Sequence, residues 1–171
     1  MKILHLIASA NPAYGGPIEG IRQLGATLTS NGEHLVEVAT ADDPKAPFLA
    51  GFPLPVHPLG PSYARYGYAP GLVPWLRANV SQFDVVVVNG IWRYSGFAAW
   101  RVLHGAATPY VVFTHGMLDP WFRQEYPLKH LKKWLYWPWA DYRVLRDAAA
   151  VMFTCEEERL LARQSFGLYS A

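Results

Sequence analysis

Residues 84–90 read Asp-Val-Val-Val-Val-Asn-Gly, and this run constrains the fold more than any other part of the chain. β-Branched side chains favour extended backbone. Four valines without polar alternation fit a strand covered on both faces, as a parallel sheet requires. Parallel neighbours cannot be joined by tight hairpins, so each needs a crossover, usually a helix. A strand of this kind therefore demands strand–helix alternation on either side of it.

The chain supplies that alternation. Residues 2–8 are an apolar, strand-like run, followed by a loop of small and turn-forming residues to Gly16. Pro17 opens a helix at the favoured first position, with Ile18, Ile21, Leu24 and Leu28 recurring on one face and Asn31-Gly32 as its stop. Residues 34–40 alternate as a second strand. A stretch with six prolines between residues 41 and 61 holds one short strand at 56–59, and its exposed aromatic continuation runs through Tyr63, Tyr66 and Tyr68. Residues 70–82 read as a helix with Leu72, Trp75, Leu76 and Val80 inward. After the valine strand come a helix at 95–104, a strand at 110–115, helix over 127–148 broken near Pro138, a strand at 149–154 and a helix at 156–166. The reading is an α/β fold: one domain over residues 1–171, a parallel sheet with helices on both faces.

Bulk properties narrow the class. The chain has 171 residues, 51% hydrophobic, enough for one domain with its own core. A net charge of +2 argues against a nucleic-acid binder. The single cysteine, Cys155, excludes an internal disulfide framework and fits a reducing compartment; it reads as a small buried residue. The apolar start is too short, and too soon followed by Asn, Pro and Gly, for a signal peptide. No run reaches the length of a spanning helix. A soluble, cytoplasmic protein is expected, peripheral at most on the inner face of the membrane.

Right-handed crossovers put every strand-to-helix loop on one sheet edge, and ligands bind beyond the carboxyl ends of such strands. Three loops meet there. In the first, Gly15-Gly16-Pro17 stands at a helix N-terminus, where glycines allow close approach and unpaired N–H groups suit a phosphate; a plain tight turn is the alternative. Pro17 makes it a poor nicotinamide fingerprint, and Asp42 is only a weak imitation of the ribose-binding acid. In the second, Trp92 and Arg93 follow the valine strand, and an arginine beside aromatics clamps anionic or sugar-bearing ligands; a solvated arginine over a packed tryptophan is an equal reading. In the third, His115 ends a strand before Gly116, where its ring either reaches a substrate or is satisfied in the core. Asp119 four residues on caps the next turn or binds a hydroxyl. No Gly-x-Ser-x-Gly elbow and no clustered metal-ligand spacing is present. Lys129, Lys132 and Lys133, interleaved with Leu128, Leu131, Trp134, Leu135, Tyr136, Trp137 and Trp139, make either an ordinary amphipathic helix with its aromatics in the core or a basic surface for an anionic membrane.

These motifs, taken in order, resemble a known family. The opening strand with Gly15-Gly16-Pro17, then residues 87–92 (Val-Val-Asn-Gly-Ile-Trp), then 114–121 (Thr-His-Gly-Met-Leu-Asp-Pro-Trp) with Lys132-Lys133-Trp134-Leu135-Tyr136 downstream, and finally 151–158 with Glu156, Glu157 and Glu158, are similar to the N-terminal half of a retaining GT-B glycosyltransferase of family 4. The resemblance implies a Rossmann-like domain that holds the acceptor, with a nucleotide-sugar bound against a second domain. Gly15 and Gly16 would approach the donor diphosphate and His115 the donor sugar; Trp92, Arg93, Tyr66 and Asp119 are the acceptor-side candidates. It also implies no metal, no separate cofactor, retention of anomeric configuration, and a glycan or lipid-linked acceptor, as in surface polysaccharide synthesis. The donor-binding C-terminal domain is not encoded in these residues, so the chain alone is expected to be a poor catalyst. Two other readings remain: a non-catalytic glycan- or partner-binding module, and a nucleotide- or nicotinamide-binding domain of another enzyme.

Overall fold

A computed structural model describes residues 1–30 and 32–166. They form a six-stranded, wholly parallel sheet in the order β3-β2-β1-β4-β5-β6. The strands are β1 Lys2–Ile7, β2 Leu35–Thr40, β3 Val56–Pro58, β4 Val85–Asn89, β5 Tyr110–Phe113 and β6 Ala150–Met152. The helices are α1 Gly16–Ser30, α2 Leu72–Asn79, α3 Tyr94–Leu103, α4 Trp121–Glu125, α5 Pro127–Tyr136, α6 Asp141–Arg146 and α7 Glu156–Ala162. The α/β class and the parallel sheet follow the sequence reading; the short α4 does not, because five residues carry too little periodicity to register. Asn31, half of the stop expected for α1, lies outside the described residues, as do residues 167–171.

The sheet turns β1 outwards in both directions, so the order reverses between β1 and β4, and α1 and α3 leave on opposite faces. One face buries Leu4 and Leu6 of β1, Val86 and Val88 of β4 and Val112 of β5 under α2, α3 and α6. The other buries Ile7, Val36, Val38 and Leu54 under Ile18 and Ile21 of α1. α1 sits over β1 to β3 only. Val85 and Val87 are therefore half-covered, which corrects the expectation that the valine strand is sealed on both sides. The gap beside α1 is where one of the cavities described below opens.

Two other expectations give way to local packing. Leu24 is 53% exposed, because the face of α1 against the sheet is Ile18, Ile21 and Gly25. Gly25 is needed there: a Cβ would meet Leu54 Cδ1 at 2.5 Å. Cys155 is exposed and caps α7, its Sγ accepting from Glu158 N at 3.5 Å.

Candidate active site: two cavities on one edge of the sheet

The three loops anticipated from the sequence meet at the carboxyl edge of the strands, but they line two cavities rather than one. The first cavity, about 590 Å³, lies beside α1 over the ends of β4 and β5. Gly16, Pro17 and Gly20 of α1 form one wall; His5, Asn89, Phe113 and His115 form the other. Gly15 sits just outside as the residue before the helix, with φ 77° and ψ −139°, a backbone that a residue with a Cβ rarely adopts. Its carbonyl accepts from Glu19 N at 3.3 Å. Of the first-turn positions, Pro17 has no N–H and Glu19 N is engaged, which leaves the N–H groups of Gly16 and Ile18 without intrahelical partners beside the cavity.

His115 is held by a short polar chain across three strands. Asn89 Nδ2 donates to Val87 O at 3.0 Å and towards His5 Nδ1 at 3.2 Å. Those acceptors fix the amide, so Asn89 Oδ1 faces His115 Nε2 at 3.2 Å and must accept from it. His115 therefore carries its proton on Nε2 and keeps a lone pair on Nδ1. Burial lowers the pKa of His115 below the usual histidine value, against a smaller opposing pull from Glu158. Burial, with the charge of His115 adding to it, drives His5 down to about 4. Both rings are neutral at pH 7. Asn89 was not singled out from the sequence; its place as the last residue of the valine strand was the available signal.

The turn bearing His115 is clamped from below. Glu158 of α7 accepts from Thr114 Oγ1 at 2.6 Å, Gly116 N at 2.7 Å and Thr154 N at 2.7 Å. Burial alone would raise this carboxyl, but those donors leave it below its usual range. The clamp holds His115 at φ 50° and its ring stacked on Phe113, with centroids 4.1 Å apart. Trp92 is likewise left-handed, at φ 65°. Left-handed backbone is unusual for residues with bulky side chains and costs about 1–3 kcal/mol at each such position.

The second cavity, about 860 Å³, lies on the other side of the same edge. Tyr66, Trp92 and Arg93, three of the four acceptor-side candidates, line it together with Tyr94 and Tyr136. Arg65, Lys129, Lys132 and Lys133 join Arg93 there, and no Asp or Glu is among its described lining residues. Trp92 is fixed at both ends: its backbone N donates to Asp141 Oδ1 at 2.8 Å and its indole N–H to Met117 O at 3.0 Å. Arg93 donates from Nη1 to Arg65 O, and Tyr94 N donates to Tyr66 O, which ties the loop after β3 to the start of α3. Asp119 lines neither cavity. Its Oδ1 accepts from Trp121 N at 2.8 Å, the turn-capping role that the sequence offered as its other reading. Asp42, the weak imitation of a ribose-binding acid, is engaged by Ser9 Oγ at 2.6 Å and Ala10 N at 2.7 Å and braces the β1–α1 loop.

The lysine–tryptophan helix departs furthest from its expected packing. The ordinary reading put lysines in water and aromatics in the core. Trp137 is buried, but Leu128, Leu131, Trp134, Leu135 and Trp139 are exposed, and Lys133 turns inward over the Trp92 ring at 4.5 Å. Burial lowers the pKa of Lys133 against the attraction of Asp141. Asp141 is 3% exposed, its Oδ2 has no hydrogen-bond partner among the described residues, and burial raises its pKa to about 6.

Comparisons with known proteins agree with this architecture. Over 127 residues the chain is 32% identical to GDP-mannose:cellobiosyl-diphosphopolyprenol alpha-mannosyltransferase of Xanthomonas campestris, covering 68% of this chain and 31% of that protein. Among solved structures, HepE of Anabaena, crystallised with UDP and glucose, superposes with a TM-score of 0.63 at 18% identity, over 96% of this chain and 41% of that one. A putative UDP-N-acetylglucosamine 2-epimerase of Listeria monocytogenes gives 0.59 at 12% identity, over 96% and 43%. At those identities the two structures speak for the fold alone. The chain thus spans about a third of its curated relative. No helix among the described residues is long and apolar enough to cross a membrane. The family of glycosyl transferase 4-like domains matches residues 15–171, and the chain belongs to it as a family 4 GT-B glycosyltransferase N-terminal domain.

Proposed function

We propose that the chain is the acceptor-side domain of a two-domain glycosyltransferase that moves a sugar from a nucleotide-sugar, with retention and without a metal, onto a lipid-linked or glycan acceptor in surface polysaccharide synthesis. One observation carries the reading. A neutral histidine of fixed tautomer faces a cavity at a helix N-terminus, while a separate cation-lined aromatic cavity opens on the same sheet edge.

In this reading the first cavity takes the donor. The N-terminus of α1, reached over Gly15 and Gly16, faces the diphosphate and stabilises the charge that builds on it as the sugar leaves. His115 Nδ1 accepts a hydrogen bond from a hydroxyl of the donor sugar and fixes its orientation. The second cavity takes the acceptor. Trp92, Tyr66 and Tyr136 offer ring faces to a saccharide or an isoprenoid, and Arg93 with the lysines offers charge to a phosphate. The polyprenyl-diphosphate acceptor named for the Xanthomonas relative has this combination of features. A second domain would close over both cavities.

The test is turnover by the two-domain enzyme, with GDP- and UDP-sugars as donors and a polyprenyl-diphosphate saccharide as acceptor. His115→Ala is expected to lower kcat about 100-fold with little change in acceptor KM. Because the His115 pKa is lowered, turnover stays on its plateau as pH falls through 6.5 and declines only below it. An unchanged kcat for His115→Ala removes the histidine from the reaction. Saccharide binding without any transfer would make the chain a binding module instead.

A further inference from the structure

Asp141, the first residue of α6, is a buried carboxylate with half of its accepting capacity unused. Oδ1 accepts from Trp92 N at 2.8 Å, while Oδ2 has no hydrogen-bond partner among the described residues. Burying a carboxylate in this way is unfavourable unless a cation compensates it. Lys133 of α5 is that cation. Its Nζ stands over the Trp92 ring at 4.5 Å, and the attraction between Lys133 and Asp141 opposes the effect of burial on both groups. Tyr66, in the loop after β3, and Tyr136 of α5 also face Asp141; burial, reinforced by its charge, keeps both phenols protonated. Trp92, Lys133, Tyr66 and Tyr136 all line the second cavity, and Asp141 stands behind them without lining it.

We propose that Asp141 is the positioning residue of the second cavity: its carboxylate holds Trp92 and Lys133 in place while the cavity is empty, and an anionic group on the ligand competes with it for Lys133. A neutral saccharide gives Lys133 no new partner, whereas a phosphate or sulfate replaces the carboxylate with a charge-assisted one. The cavity is thereby made selective for anionic ligands. An anion that enters also brings negative charge towards Asp141, so its binding is linked to uptake of a proton by that carboxyl. By reciprocity, protonating Asp141 strengthens anion binding. Asp141 titrates at about 6, above the usual carboxylate value, so the change falls between about pH 5 and 7.5. Below that window Asp141 is neutral and Lys133 turns to the ligand; above it the carboxylate competes. Lys129 and His130 also face Lys133, and His130 lines a separate hollow with Arg123 and Arg163, outside the second cavity. The assignment of the cavity as an acceptor site supplies the purpose of this linkage. The linkage itself is measured with an inorganic anion, so either can fail alone.

The experiment is calorimetric titration of the full chain with sulfate, which stays a dianion across this window. Affinity is measured at pH 5 and pH 7.5, and the proton count at pH 6.5 from two buffers of different ionisation enthalpy. The parent is expected to bind sulfate about fivefold more tightly at pH 5 than at pH 7.5 and to take up protons at pH 6.5. Asp141→Asn keeps an acceptor for Trp92 N and should keep the native circular dichroism spectrum. Its affinity at pH 7.5 is expected to rise to the parent's value at pH 5, and most of the pH dependence should vanish. In a Lys133→Gln background, Asp141→Asn should change affinity by less than about twofold, because the contested cation is gone. Four results overturn the proposal: no sulfate binding to the parent; equal affinity at the two pH values without proton uptake; a pH dependence that survives Asp141→Asn, which would assign it to His130; or an Asp141→Asn effect of the same size with and without Lys133.

Discussion

The two cavities share one sheet edge and differ in almost everything else. The cavity at His115 has no Lys, Arg, Asp or Glu among its described lining residues; its only polar side chains are two histidines, Asn89 and Thr154. The cavity at Trp92 has five cationic side chains and seven aromatic ones. The first relies on fixed backbone dipoles and on one imidazole of defined tautomer. Such a wall discriminates by geometry and is little affected by salt. The second relies on mobile charges around aromatic rings, which recruit an anionic ligand and weaken as ionic strength rises. Each also stands on a buried titratable group, and the two groups have opposite signs: His5, held neutral, and Asp141, held near protonation at a raised pKa.

That opposition gives the largest expected effect. His5 titrates at about 4 in the folded chain and near 6.5 unfolded, so the unfolded state binds more protons between those values. Its contribution is complete above pH 6.5 and is lost as pH falls to 4, about 3 kcal/mol over the window. In urea titrations across that range, His5→Gln should flatten the rise of stability with pH. An unchanged slope would mean that the acid sensitivity lies elsewhere and that burial does not hold His5 neutral.

The cationic cavity is sharpened by removing charge from it. Arg93→Ala with Lys132→Ala is expected to raise the KM or Kd for a phosphate-bearing acceptor about 30-fold, roughly 2 kcal/mol, while kcat at saturation stays close to normal. The effect should shrink at high salt. A fall in kcat with constant KM would reverse the roles assigned to the two cavities. Below this cavity, Asp141→Asn keeps an acceptor for Trp92 N–H but removes the cost of burying a charge. Asp141 has a raised folded pKa, so its ionisation opposes folding as pH rises from 3.8 to about 6. The asparagine variant is expected to be about 1–2 kcal/mol more stable at pH 7 and no more stable than the parent below pH 4, by chemical denaturation.

How much of this could be read from the sequence depended on how local the signal was. Strand β4 was legible because four valines specify their own conformation, and the edge loops followed from topology alone. Tyr66, Trp92 and Arg93, grouped from the sequence, line one cavity, although nothing in the sequence separated it from that of His115. Met117 ties the second and third loops together: its Sδ accepts from Ile91 N at 3.3 Å and its carbonyl from the Trp92 indole, a junction of two loops distant in sequence. Lys133 misled for a similar reason. A lysine at an amphipathic position normally belongs to the wet side, but here the Trp92 ring and the buried Asp141 draw it inward, and the leucines take the surface. Helical periodicity locates two faces of a helix; it does not say which one meets the protein.

The smallest expected effect separates the shape of the His115 turn from its chemistry. His115 stands at φ 50° and Gly116 at φ 73°, two successive left-handed residues held by the Glu158 clamp. Glycine tolerates that backbone and alanine does not. His115→Gly should therefore be more stable than His115→Ala by about 1 kcal/mol, although both lose the imidazole and fall equally in turnover. If the alanine variant is the more stable of the two, the turn has relaxed out of the left-handed region. The strain would then be a consequence of the His115–Asn89 hydrogen bond rather than of the Glu158 clamp. Glu158→Gln discriminates further: it keeps an acceptor for Gly116 N but weakens the charge-assisted bonds, and the glycine–alanine difference should narrow in that background only if the clamp sets the turn.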